Sequence, residues 1–77
     1  MQQYHRYYQI LGHNIALYRK RKGLTQEGLA LKANISRAYL SHIEARNVYK
    51  APSLEILFRI CSILGIEPYQ LFIEQSE

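Results

Sequence analysis

Apolar residues recur along the chain at helical rather than strand spacing. Leu11, Ile15 and Tyr18 stand at i, i+4 and i+7, and the pattern stops at Gly23 after the basic run Arg19, Lys20, Arg21, Lys22. Bases in a last turn suit the negative end of the helix dipole, and glycine takes the left-handed cap. A first helix is therefore predicted over roughly residues 8–22. Thr25 can N-cap a short second helix through about residue 32, whose apolar positions are Leu29, Ala30 and Ala33. Gly28 stands where a capping-box Glu would strengthen that start. Asn34, which tolerates positive φ, follows it. Ser36 caps a third helix through about residue 45, with Leu40 and Ile43 facing inward. The stretch from Arg46 to Pro52 reads as a loop. Ser53 caps a fourth helix, Leu54 to Leu64, stopped by Gly65, and Pro68 opens a short fifth through about residue 72. On the wheel of the fourth helix, Leu54, Leu57, Phe58, Cys61 and Leu64 make one core face, while Ile56 and Ile63 lie elsewhere. No alternating run with an Asn-Gly or Asp-Gly turn is present. The fold class is all-α, a compact five-helix domain.

Length and composition narrow the picture further. The chain has 77 residues, 48% of them hydrophobic and 21% charged. That predicts one domain: an aromatic N-terminal extension over 1–9, a helical core over 10–73 and a tail over 74–77. A chain this short buries only about 60% of its unfolded surface, so its core is marginal and gains from a partner subunit. Residues 1–50 carry nine bases against two acids, whereas residues 51–77 carry Arg59 against four glutamates. A basic face and a weakly acidic face follow, and a basic face attracts polyanions. The single cysteine, Cys61, excludes an internal disulfide and fits a reducing cytosol. No apolar run approaches the ~18 residues of a membrane span, and residues 1–10 do not read as a secretion signal. The expected location is the cytoplasm.

Catalysis finds little support. There is no Asp, and His5, His13 and His42 are scattered. No Gly-rich phosphate loop is present, and Cys61 with the histidines lacks metal-ligand spacing. No cofactor is expected, and Cys61 reads as a buried, inert thiol.

The second and third helices are short and only about three residues apart, which is helix-turn-helix spacing. Such a unit pushes the start of its second helix outward, where it can enter a major groove. The segments LGHNIALYRKRKGLTQEGLALKANISRAYLSHIE and PSLEILFRICSILGI resemble the Cro-type (Xre-like, phage-repressor-like) helix-turn-helix regulators in order and spacing of residue types. The resemblance covers roughly residues 10–73 and implies a sequence-specific double-stranded DNA-binding regulator of bacterial or phage origin. It implies that the third helix is the recognition helix, with Ser36, Arg37, Ala38 and His42 at positions that meet base edges. It implies phosphate contacts from Gln26, Asn47 and Lys50, and an ion pair of Arg19 with Glu44 joining the first helix to the third. Four features depart from the family pattern: Asn34 in place of the turn Gly, Gly28 in place of a Glu, Arg46 and a longer loop after the third helix, and the N-terminal Tyr4, Tyr7 and Tyr8.

The residues themselves support these roles. On the wheel of the third helix, Ala38, Ser41 and His42 lie opposite Leu40 and Ile43, with Arg37 at the edge. An arginine can bind guanine O6 and N7 together, worth about 1–3 kcal/mol of discrimination. Ser41 and His42 can each make one hydrogen bond, Ala38 can meet a thymine methyl, and Tyr39 can reach a phosphate. Arg37 and His42 can equally be solvated surface residues, and Tyr39 can pack against the turn. Ile56, Ile63, Tyr69 and Phe72 form a candidate homodimer surface, which would place two recognition helices about one DNA turn apart on a palindromic operator. A helical protein-interaction module, such as an antitoxin that binds a toxin through its apolar surface, is the alternative.

Overall fold

The computed structural model describes residues 4–45 and 51–75. Among the described residues four α-helices succeed one another: α1 over His5–Arg21, α2 over Gln26–Ala33, α3 over Arg37–Glu44 and α4 over Leu54–Leu64. A 3-10 helix, Pro68–Phe72, closes the order, so the fifth element is a tighter turn rather than a fifth α-helix. Among the described residues there is no strand, and no helix is long and apolar enough to cross a membrane.

Local chemistry sets the inner boundaries. Thr25 Oγ1 accepts the Gly28 N–H at 2.9 Å, Ser36 Oγ that of Tyr39 at 3.0 Å and Ser53 Oγ that of Ile56 at 3.2 Å. Each such cap contributes about 1 kcal/mol. Asn34 ends α2 in the left-handed region at φ 59°, and Gly65 ends α4 there at φ 72°. The first boundary differs from expectation: α1 begins at His5, so most of the aromatic extension is helix. Tyr4 gives it no side-chain cap and its first turn holds no acid. Tertiary contacts hold it instead, since α1 packs along the 3-10 helix and Arg6 pairs with Glu74. The Tyr4 and Tyr7 rings stack one turn apart, with centroids 6.5 Å apart.

The core joins Leu11 and Ile15 of α1, Leu29, Ala30 and Ala33 of α2, and Leu40 and Ile43 of α3 to Leu57, Ile60, Cys61 and Leu64 of α4, with Leu71 beneath. Helix α1 packs on α3, and α2 packs on both α3 and α4. Asn14 is fully buried within this core and donates through Nδ2 to the Leu71 and Ile73 carbonyls at 2.9 and 2.8 Å. It clamps the chain after the 3-10 helix to the middle of α1.

The core face of α4 needs correction. Leu54 and Phe58 are 66% and 50% exposed, and Ile60 takes their place inside. Ile56 and Ile63 are half-buried against the core, which leaves only part of each side chain on the surface. Tyr69 and Phe72 are exposed. Burial, then the nearby Glu67 charge, pushes the Cys61 thiol above its ordinary value and keeps it neutral.

Candidate nucleic-acid interface

The turn between α2 and α3 is tight because each end is chemically closed. The Ile35 N–H reaches the Ala30 carbonyl at 3.0 Å across the left-handed Asn34. Arg59 of α4 donates to the Ala33 carbonyl at 2.6 Å, holding the last residue of α2 from behind. Ala30 and Ala33 are small and buried, so α2 and α3 can approach closely. Ser36 then starts α3 at once.

Helix α3 is divided cleanly. Leu40 and Ile43 are buried, whereas Ser36, Arg37, Ala38 and His42 are exposed and Ser41 is half-buried. These are the expected base-reading residues: Arg37, Ala38, Ser41 and His42 share the side of α3 away from the core, and Ser36 caps its start. The Ser36 hydroxyl already accepts a backbone N–H, which leaves its proton to donate. Tyr39 is half-buried and packs against the core. Asn47 and Lys50, the expected loop contacts, lie outside the described residues.

Behind α3 sits a charged cluster. Arg19 Nε donates to Glu44 Oε2 at 2.8 Å, and Arg19 Nη2 donates to Glu44 Oε1 at 3.0 Å. The two side chains are only 9% and 5% exposed. Arg19 Nη1 also donates to the Leu24 carbonyl at 2.8 Å. Gln26 Nε2 donates to the same Glu44 Oε1 at 2.9 Å. One carboxylate therefore gathers the end of α1, the start of α2 and the end of α3. The link to Gln26 was not legible in the sequence.

Two further residues escaped the sequence reading. A Cβ on Gly12 would fall far inside van der Waals contact of the Ile43 carbonyl oxygen, so α1 crosses the backbone of α3 there. The other is Asn14. The signal for each was present: a glycine in mid-helix with no cap to make, and a lone amide within an apolar stripe.

Lys20, Arg21, Lys22 and Lys32 are exposed, and the Arg21 guanidinium lies 5.5 Å from the Tyr18 ring centroid. Among the described residues no three His, Cys, Asp or Glu side chains are grouped to hold a metal ion.

A short helix pair with a tight left-handed turn and an exposed, polar second helix defines a helix-turn-helix domain of the DNA-binding class. A family model described as helix-turn-helix matches residues 15–71. The chain is 41% identical over 63 residues to the HTH-type transcriptional regulator SlrR of Bacillus subtilis (strain 168), covering 82% of this chain and 41% of SlrR. It is 47% identical over 57 residues to the immunity repressor protein of Bacillus phage phi105, covering 74% of this chain and 38% of the repressor. The N-terminal DNA-binding domain of SinR from Bacillus subtilis superposes with a TM-score of 0.78 at 36% identity, over 90% of this chain and 99% of that domain. SinR has also been solved in complex with DNA, and that structure superposes with a TM-score of 0.75 at 36% identity, over 82% of this chain and 98% of that one. The chain belongs to the Cro-type, phage-repressor-like helix-turn-helix family. It spans about two fifths of the length of SlrR and of the phage repressor.

Proposed function

We propose that this chain binds double-stranded DNA in a sequence-specific manner and regulates transcription, acting as a homodimeric repressor on a palindromic operator. The observation that carries this reading is the exposed face of α3, Arg37, Ala38, Ser41 and His42, presented by a rigid turn in the basic half of the chain. Helix α3 lies in the major groove, Arg37 reads guanine, and Gln26 with the first N–H groups of α2 meets a phosphate. Tyr39, Asn47 and Lys50 add backbone contacts. Affinity arises mainly from phosphate neutralisation, so log K falls linearly with log salt. Arg37→Ala is expected to lose about 1–3 kcal/mol of discrimination at one base pair while leaving the salt slope nearly unchanged. Selection of bound duplexes from a random pool, run on both proteins, checks this; an unchanged preference would remove Arg37 from the reading set.

The dimer reading rests on exposed apolar side chains: Leu54 and Phe58 on α4, and Tyr69, Phe72 and Ile73 at the 3-10 helix. Apolar residues exposed singly need no partner; we read these five, on the adjoining α4 and 3-10 helix, as one interaction patch. Phe72→Ser is expected to weaken self-association about tenfold or more, as loss of an aromatic anchor does. Sedimentation equilibrium across a concentration series measures it, and a monomer at every concentration would end the dimer reading. The same surface supports the second reading, a protein-interaction module whose DNA binding is secondary. A gel shift with random duplex at low and high salt bears on the choice: salt-sensitive retardation keeps DNA binding as an activity of the chain, and no retardation at low salt leaves the interaction module alone.

A further inference from the structure

We propose that Glu44 is a positioning residue for DNA binding: it presets the Gln26 amide against the recognition helix so that one N–H is held for a phosphate. This rests on the DNA-binding reading above and adds to it a role for a carboxylate that DNA itself would repel.

An amide nitrogen carries two hydrogens. Glu44 Oε1 takes one of those on Gln26 Nε2, which fixes the plane of the amide and leaves the second N–H. A free glutamine side chain loses rotamer freedom when it is ordered. Here folding has already ordered it, so a phosphate contact meets a prepared donor. Glu44 can serve in this way because it is itself immobile. It is nearly buried, both its oxygens are bonded to Arg19, and Arg19 is tied in turn to the Leu24 carbonyl. The guanidinium also offsets the carboxylate charge, which would otherwise oppose an approaching phosphate. Because Glu44 is the last residue of α3, the cluster sets the Gln26 donor relative to the recognition helix as well as to α2. Phosphate contact and base contact are thereby held in one register.

A double-mutant cycle on the full chain tests this, with a random-sequence duplex at fixed salt as the probe. In the native background Gln26→Ala is expected to weaken binding roughly tenfold, the scale of one charge-assisted hydrogen bond. In an Arg19→Met/Glu44→Leu background, checked for a cooperative melt, the same change is expected to weaken binding less than about twofold, because the amide is no longer preset. Equal effects in both backgrounds would overturn the positioning role while leaving the phosphate contact intact. No effect in the native background would remove both. Glu44→Gln gives an arm that does not need the paired background. It keeps an acceptor oxygen for Gln26, so Gln26→Ala within it should still weaken binding severalfold even though the fold is less stable. Loss of the Gln26 effect there would count against an acceptor-based role.

Discussion

Arg19→Met alone is expected to remove about 3–5 kcal/mol of folding stability, measured by denaturant unfolding. The change strands the Glu44 carboxylate, which is 5% exposed, with only the Gln26 N–H as its remaining donor in the cluster. Glu44→Leu does comparable harm in reverse, since the Arg19 charge then keeps only the Leu24 carbonyl. A small domain is stable by about 5–15 kcal/mol in total, so either variant consumes a large share of the margin. Arg19→Met/Glu44→Leu is expected to lose less than either single change, because no unpaired charge remains inside. The Leu24 carbonyl still loses a donor, so recovery is incomplete. Single variants that each lost less than about 1 kcal/mol would show that the pair behaves as a solvated surface bridge.

The same cluster shows what a sequence can and cannot tell. The caps at Thr25, Ser36 and Ser53 and the left-handed Asn34 and Gly65 were legible because each acts within a few residues of itself. The exposed face of α3 was legible because two buried positions, Leu40 and Ile43, fix its wheel. Helix α4 was misread for the opposite reason: it is apolar nearly all round, so hydrophobic residues give its wheel no direction. Its polar residues do. Glu55, Arg59 and Ser62 stand at i, i+4 and i+7, and the buried set Leu57, Ile60, Cys61 and Leu64 lies opposite them. Reading the polar stripe would have placed Ile60 inside and Leu54 and Phe58 at an edge. The start of α1 had no such signal, because α1 packs along the 3-10 helix, which is separated from its first turn by most of the chain. The Gln26 link to Glu44 is of the same kind, and so are the partners of Asn14, although its place in an apolar stripe marked the residue itself.

Gly12→Ala is expected to destabilise the domain by about 1–3 kcal/mol, the usual cost of overpacking. The sign is not obvious in advance. Alanine is the better helix former by about 1 kcal/mol, and Gly12 lies well inside α1. What decides it is the neighbour. The new methyl would overlap the Ile43 carbonyl oxygen and lie 3.3 Å from Glu44 Cα. Both are backbone atoms of α3, so no side chain can swing aside, and relief requires α1 and α3 to separate. That movement would strain the Arg19–Glu44 pair, which spans the same two helices, and would shift the face that carries Arg37. Loss of stability and loss of DNA affinity should therefore appear together. Gly28→Ala supplies the control. There a Cβ would meet only side-chain atoms, Thr25 Oγ1 at 3.3 Å and Leu24 Cδ2 at 3.6 Å. Thr25 Oγ1 also caps α2 by accepting the Gly28 N–H, so the small shift it must make offsets part of the propensity gain, and stability should stay within about 1 kcal/mol of the parent. In thermal melts Gly12→Ala falls clearly below both Gly28→Ala and the parent if the α1–α3 crossing is as close as described. A Gly12→Ala melt at or above that of the parent would mean that the two helices have room to spare.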